Sequence, residues 1–398
     1  MPHFETLDDL EANGKLSGKR ILVRLDLNLP LQDGQVADLT RLERSLPTLK
    51  ELASKKAKVI VVAHLGRPKG YDNALTLAPI AEALKKAMAP TSVFFCKESQ
   101  GPHVNEVIDR VGEGEILLLE NIRFVTGEET NDPAFAQEMA TWADVYVNDA
   151  FSTAHRAHAS TEGIAHLLPS FAGRLMEQEL KTLERVLEYP EAPMMAIVGG
   201  AKVSTKLPLL KNLLPKVDVL VIGGAMANTF LAAKGYDIGA SLYEPDLMMT
   251  SLELMKGKKV LLPLDVVVAD SLDDPKNHQH RELSSIGLTE KIFDIGPATI
   301  SHILKTMERC HTLLWNGPLG VFEVPPFDYG TNAVAQGVSH LTTEGSLLSV
   351  AGGGDTVAAL NHAGVLKDFS YVSTAGGAFL EWLEGKPLPG VKVLERAA

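Results

Sequence analysis

The chain is poor in cysteine, in net positive charge and in long apolar runs, and each shortage excludes a class of protein. Cys96 and Cys310 are the only cysteines in 398 residues, and neither belongs to a CxxC pair. That argues against a disulfide framework and a thiolate-built zinc site, and suits a reducing compartment. Lysine and arginine number 38 against 50 aspartate and glutamate, a formal charge of −12. Binding nucleic acid takes a surplus of cations to neutralise phosphate, so no nucleic-acid partner is expected. The longest apolar candidate, 219–227, holds nine residues and two glycines. A membrane span needs ~18. The N-terminal stretch is acidic and lacks an apolar core, so no secretory leader is expected. Together these shortages predict a soluble, cytoplasmic protein with no membrane partner. Several motifs are missing too. Gly14-Lys15, Gly18-Lys19, Gly257-Lys258 and Gly385-Lys386 all lack the P-loop continuation, and there is no G-x-S-x-G or H-E-x-x-H.

What is present is globular: 45% hydrophobic and 22% charged residues. The length points to two or three domains. Twelve short runs are β-branched or leucine-rich without polar alternation: 21–25, 59–63, 93–96, 116–119, 145–147, 194–198, 219–222, 266–269, 292–295, 313–315, 347–350 and 371–372. Strands buried on both faces read this way. Amphipathic stretches lie between them, at 41–53, 77–88, 171–187, 244–256 and 300–307. Strand and helix in alternation predict an α/β fold with mostly parallel, doubly wound sheets. Twelve strands overfill one open sheet. Pro190 and Pro193 stop the helix at 171–187, which places a boundary near 190 and gives two domains of similar size with a substrate cleft between them.

Ligands of such folds bind outside the carboxyl ends of the strands. In the first half those ends run into Asp26 and Asn28, His64 and Arg67, Arg123, and Arg156. Arg41 starts a helix. Four arginines converging in an acidic protein make a focusing site for a small anion, since the guanidinium fork grips phosphate or carboxylate bidentately. In the second half the ends are glycine turns: Gly199-Gly200, Gly223-Gly224, Gly317, Gly352-Gly353-Gly354 and Gly376-Gly377. Glycine lets backbone approach a ligand, and a following helix N-terminus offers free N–H groups to phosphate. Lys202 and Lys206 are four apart, so on a helix they share a face and offer two ammonium groups. Asp355 reads either as a helix N-cap or as a Mg²⁺ ligand. An anion half and a nucleotide-phosphate half suggest phosphoryl transfer with water kept out.

Seven strings together resemble one family, the phosphoglycerate kinases in their bacterial form. They are Arg24-Leu-Asp26-Leu-Asn28-Leu-Pro30, His64-Leu-Gly-Arg67-Pro68, Glu120-Asn-Ile-Arg123-Phe124, His155-Arg156-Ala-His158-Ala-Ser160, Gly199-Gly-Ala-Lys202-Val-Ser-Thr-Lys206, Trp315-Asn316-Gly-Pro-Leu-Gly-Val-Phe-Glu323 and Gly352-Gly-Gly-Asp355-Thr356. The resemblance covers 24–377 in the family's order. It implies reversible transfer of the acyl phosphate of 1,3-bisphosphoglycerate to MgADP, giving 3-phosphoglycerate and MgATP, by direct in-line transfer after hinge closure. It implies a phosphoglycerate-binding domain over 1–172 using Asp26, Asn28, Arg41, His64, Arg67, Arg123 and Arg156. An interdomain helix would occupy 173–190. A nucleotide-binding domain over 191–384 would use Lys206, Gly223, Gly224, Asn316, Glu323, Gly353, Gly354, Asp355 and Thr356, with Asp355 on the magnesium and Glu323 on the ribose. Arg41, Lys202 and Gly376 would stabilise the transferring group. The tail, 385–398, would return to the first domain, and the protein would act as a monomer.

The sequence departs from the family at three turns: Ala375 and Phe379 in Thr374-Ala-Gly-Gly-Ala-Phe379, Ala225 after Gly223-Gly224, and Ala63 before His64. Ala375 would be strained if its turn needs positive φ. Two other readings compete. A Rossmann-type NAD-dependent dehydrogenase predicts an acidic ribose ligand about 20 residues past an early glycine motif. His64 and Arg67 stand in that place, and the glycine turns lie in the other half. A catalytically lapsed binding protein of the same fold predicts lost site charges, and none is lost.

Overall fold

A computed structural model describes residues 4–257 and 260–395. The chain forms two compact units. One runs to Lys181 and takes back the segment from Pro387; the other is Thr182–Lys386. The division falls inside the helix Arg174–Leu187, which both units share.

The first unit holds six parallel strands: β1 Arg20–Leu25, β2 Lys58–Val62, β3 Val93–Cys96, β4 Ile116–Leu119, β5 Val145–Asp149 and β6 Ser170–Ala172, in spatial order 3-4-2-1-5-6. Successive side chains face opposite sides. Ile21, Val23, Val59 and Val61 therefore join one core with Leu42, Leu49 and Leu52 of the helix Thr40–Ser54. Leu22, Ile60, Leu117 and Leu119 join another with Phe135, Trp142 and Tyr146. Both faces are covered, which is why these strands read as unbroken apolar runs. Each such side chain contributes roughly 1.5–3 kcal/mol on full burial. The C-terminal helix Pro389–Lys392 docks on this unit: Gly390 N donates to Ala154 O at 2.9 Å, and Asn148 Nδ2 donates to Gly390 O at 3.2 Å. Residues 396–398 of the expected tail lie outside the described residues.

The second unit has a matching parallel sheet. Its strands are β7 Met194–Val198, β8 Val219–Ile222, β9 Val260–Leu261, β13 Thr312–Asn316, β14 Leu348–Gly352 and β15 Tyr371–Ser373, in order 9-8-7-13-14-15. The runs at 266–269 and 292–295 do not belong to it. As β10 Asp265–Ala269 and β12 Lys291–Ile295 they flank each other in an antiparallel sheet, with β11 Gln279–Glu282 on the other side of β10. A short apolar run does not encode the direction of its partner, and the all-polar β11 carries no apolar signal at all. The expected helix at 171–187 also begins late. Residues 170–172 pair with β5, and Asp149 Oδ1 accepts from Leu175 N at 2.8 Å and Met176 N at 3.0 Å to start the helix at Arg174.

Candidate functional site

In the first unit the loops after β1, β2, β4 and β5 meet through hydrogen bonds. Asp26 Oδ2 accepts from Ser152 Oγ at 2.6 Å and pairs with Arg41 Nη1 at 3.0 Å. Arg41 sits in the first turn of Thr40–Ser54 and also donates to Asn28 O at 3.2 Å. Asn28 Oδ1 accepts from Gly66 N at 2.9 Å, and Arg123 Nη1 donates to Gly66 O at 2.6 Å. An open cavity of about 380 Å³ is lined by Asn28, Leu29, Pro30, Asp38 and Arg41.

Arg123 is the most telling residue here. Its Nε lies 3.1 Å from Glu129, yet its buried Nη2 has no protein partner. Burial lowers its pKa to about 10; Glu129 opposes the shift, and Arg156 and Arg24 add to it. A buried cation with an unspent donor among other cations is poised for an anion. Arg156 is half-buried, its Nε 3.2 Å from His155 Nε2. Arg67 is exposed on the loop after His64, without a partner among the described residues, so its inclusion rests on its place in that loop. His64 is buried, its Nδ1 3.0 Å from Arg24 Nη2.

Sequence reasoning missed the side chains that hold these loops. Asn121 Nδ2 donates to Leu65 O at 2.8 Å and Leu75 O at 2.9 Å; its Oδ1 accepts from Leu65 N at 3.3 Å and Arg123 N at 3.2 Å. Glu120 accepts from Leu77 N at 2.7 Å and Thr76 Oγ1 at 2.5 Å. Buried Glu128 accepts from Ser160. A polar residue directly after an apolar strand was the available signal for Glu120 and Asn121; Glu128 offered none.

In the second unit a cavity of about 330 Å³ is lined by Gly200, Gly224, Leu242, Phe293, Glu323 and Asp355, among others. Gly224 takes φ 67°, and a Cβ there would lie 2.6 Å from Gly200 O, so only glycine lets the two turns touch. Gly223 packs against Leu319 and does not line the cavity. Beside it, Lys206 Nζ donates to Asn316 Oδ1 at 2.5 Å, and Asn316 Nδ2 donates to Gly352 O at 2.7 Å. Thr356 Oγ1 accepts from Gly317 N at 2.8 Å and donates to Gly352 O at 2.9 Å. Desolvation lowers the Lys206 pKa, while the charges of Asp355 and Glu384 raise it.

Three details differ from the sequence expectation. Lys202 is the extended residue before the helix Val203–Leu213, so it shares no helical face with Lys206; it is exposed and outside the cavity lining. Gly353 (φ 101°) caps the helix Gly354–His362, which leaves Asp355 exposed in the first turn and not at the cap. The residue with positive φ beside Ala375 is Gly376 (φ 54°), so Ala375 is not strained by its methyl. Gly376 precedes the helix Gly377–Leu383, also outside the cavity lining, and Phe379 of that helix fills the space beside Gly352.

No helix among the described residues is long and apolar enough to cross a membrane. The family model for phosphoglycerate kinase matches residues 7–386. A phosphoglycerate kinase of Rhodospirillum centenum is 54% identical over 397 residues, covering 98% of this chain and 99% of that one. That of Mesorhizobium japonicum is 53% identical over 402 residues, covering 100% of both. Among solved structures, a phosphoglycerate kinase from Coxiella burnetii superposes with a TM-score of 0.90 at 41% identity, over 98% of this chain and 99% of that one. A nicotinamide dehydrogenase is not favoured by these matches, and the chain belongs to the phosphoglycerate kinases, nucleotide-using phosphotransferases with a carboxyl group as acceptor.

Proposed function

We propose that the first unit holds the phosphoglycerate and the second the nucleotide in reversible transfer between 1,3-bisphosphoglycerate with MgADP and 3-phosphoglycerate with MgATP. The observation that carries the reading is the buried Arg123 Nη2, left without a protein partner on a guanidinium that feels the charges of Arg156 and Arg24. Arg67, Arg123, Arg156 and His64 take the phosphate end; Asp26, Asn28 and Arg41 take the glycerate end. Lys206, Asn316 and the Gly353–Thr356 turn take the nucleotide phosphates, Gly223 and Gly224 shape the wall behind the base, and Glu323 takes the ribose. Arg41, Lys202 and the Gly376 turn stabilise the group in flight.

Asp355 is the residue that would hold magnesium. It is exposed at a helix start, and no group of three or more His, Cys, Asp or Glu among the described residues forms a closed cage. That donor set suits a cation that keeps waters and takes its remaining ligands from phosphates. When bound, the ion neutralises charge on those oxygens. In the direction of ATP consumption the nucleophile is the substrate's own ionised carboxylate, so no general base is needed. The residues contribute charge neutralisation and alignment. Bringing both ligands together out of water could contribute on the order of 7–11 kcal/mol through orientation. The enzyme acts as a cytoplasmic monomer in this reading.

The test is 3-phosphoglycerate-dependent ADP formation from MgATP, with a dehydrogenase trap removing 1,3-bisphosphoglycerate. Turnover should vanish without Mg²⁺ or without 3-phosphoglycerate. Arg41→Ala should lower kcat by ~10²-fold or more and leave the nucleotide KM within a factor of ~3. A rise in nucleotide KM alone would remove Arg41 from its assigned role.

A further inference from the structure

Arg24 contributes to no ion pair in the anion site, yet it is wholly buried behind it. Its Nη2 lies 3.0 Å from His64 Nδ1, its Nε donates to Ser160 Oγ at 3.0 Å, and its Nη1 donates to Leu25 O. Ser160 Oγ in turn donates to Glu128 Oε1 at 2.6 Å, and Ser160 N donates to Glu128 Oε2 at 2.9 Å. Tyr146 OH donates to Ser160 O at 2.7 Å and fixes the serine from the other side. The guanidinium is thus held in one orientation, with its counter-charge Glu128 one hydrogen bond beyond the serine.

We infer that Arg24 is a positioning residue that sets the tautomer of His64, so that the imidazole is a neutral Nε2–H donor facing the substrate anion. A guanidinium has donors and no acceptor, so the ring nitrogen it meets must be the unprotonated one. With Nδ1 accepting, the single ring proton sits on Nε2. The charged groups around the ring argue the same way. Burial first, and then the charges of Arg24, Arg123, Arg156 and Arg41, push the His64 pKa well below the usual value. The nearby carboxylates are engaged elsewhere: Asp26 with Arg41, Glu129 with Arg123, Glu128 with Ser160. His64 therefore adds a directed donor to the site and no titrating charge. Its hold on a phosphate ester is independent of its own protonation across neutral pH.

The inference rests on the proposed function only for the identity of the anion; the state of the ring is measured without substrate. The experiment is ¹H–¹⁵N imidazole spectroscopy of the full chain labelled at histidine, with the His64 signal assigned by its loss in His64→Gln. The expected result is an Nε2–H tautomer whose shifts are unchanged from pH 6 to 8. An Nδ1–H tautomer, or titration near the ordinary value of about 6.5, overturns the inference. In Arg24→Met the ring should show mixed Nε2–H and Nδ1–H tautomers, while burial and the remaining arginines still hold it neutral. The KM for 3-phosphoglycerate should then rise about twofold or more, as an evenly mixed ring offers its Nε2–H only half of the time. A KM raised by one factor at every pH, with the tautomer intact, also overturns it, because Arg24 would then act as charge alone. If Arg24→Met does not fold, the wild-type spectrum decides. Absent turnover with the expected spectrum would sink the proposed function and leave the positioning role standing.

Discussion

Asn121→Ala tests how the anion site is built. The side chain has no exposed surface and makes four hydrogen bonds, two at 2.8–2.9 Å and two at 3.2–3.3 Å. All four go to backbone groups: Leu65 N and O, Leu75 O and Arg123 N. Each is worth about 1 kcal/mol net, somewhat more where the stranded group cannot reach water, so the loss should be about 3–5 kcal/mol for the first unit. The effect reaches function because Gly66 follows Leu65 and bridges Asn28 to Arg123. Asn121→Asp is isosteric but turns an oxygen on the Leu65 and Leu75 carbonyls, so it should be no better than alanine. Unfolding of a two-unit chain is not one transition, so the readout must be local. Trp142 fluorescence in urea reports the first unit once Trp315 and Trp382 are replaced by phenylalanine, and hydrogen exchange at Leu65 and Arg123 reports the loop directly. The KM for 3-phosphoglycerate should rise about tenfold or more, with the MgATP KM unchanged. A loss under about 1 kcal/mol, or an aspartate variant as stable as wild type, would show that this side chain is not what holds the loop.

Three further outcomes follow from backbone and burial in the second unit. Burial pushes the Asp294 carboxyl up to about 8, against the hydrogen bonds it accepts from Gly330 N at 2.7 Å and Ile295 N at 2.8 Å. The folded unit thus keeps a proton that the unfolded chain has released above pH ~4, and stability conferred by that proton is lost as pH rises from ~4 through 8. Asp294→Asn should flatten the fall in second-unit stability between pH 5 and 8; equal slopes in denaturant titrations of variant and wild type would contradict this. Gly376, at φ 54° and ψ −107°, occupies backbone space that side chains avoid, so Gly376→Ala should cost ~1–3 kcal/mol and lower kcat. Ala375→Gly should change stability by ~1 kcal/mol or less and give no faster turnover, since Ala375 takes no positive φ; a gain in kcat would restore the suspicion that its methyl hinders the turn.

The legibility of the site varied with what each residue does. Arg41, His64 and Arg123 stand where apolar strands or helix starts end, so their order in the chain already places them at a sheet edge. The same holds for Gly353, Gly354 and Asp355 after β14. Glu128 and Ser160 were not legible, because their value lies in meeting each other and Arg24 across 136 residues of chain. Lys202 was misplaced on a helical face because i,i+4 spacing cannot tell whether the helix has begun.

From sequence alone came the parallel α/β class, the runs buried on both faces and the expectation of an anion half and a nucleotide half. These follow from local composition and from the rule that functional loops follow the strands. Only the tertiary structure decided that 266–269 and 292–295 leave the parallel sheet for an antiparallel one, that the helix Arg174–Leu187 is shared by both units, and which nitrogen of His64 meets Arg24. Strand direction, unit membership and tautomer are all set by partners distant in the chain, and spacing along a sequence carries no information about those.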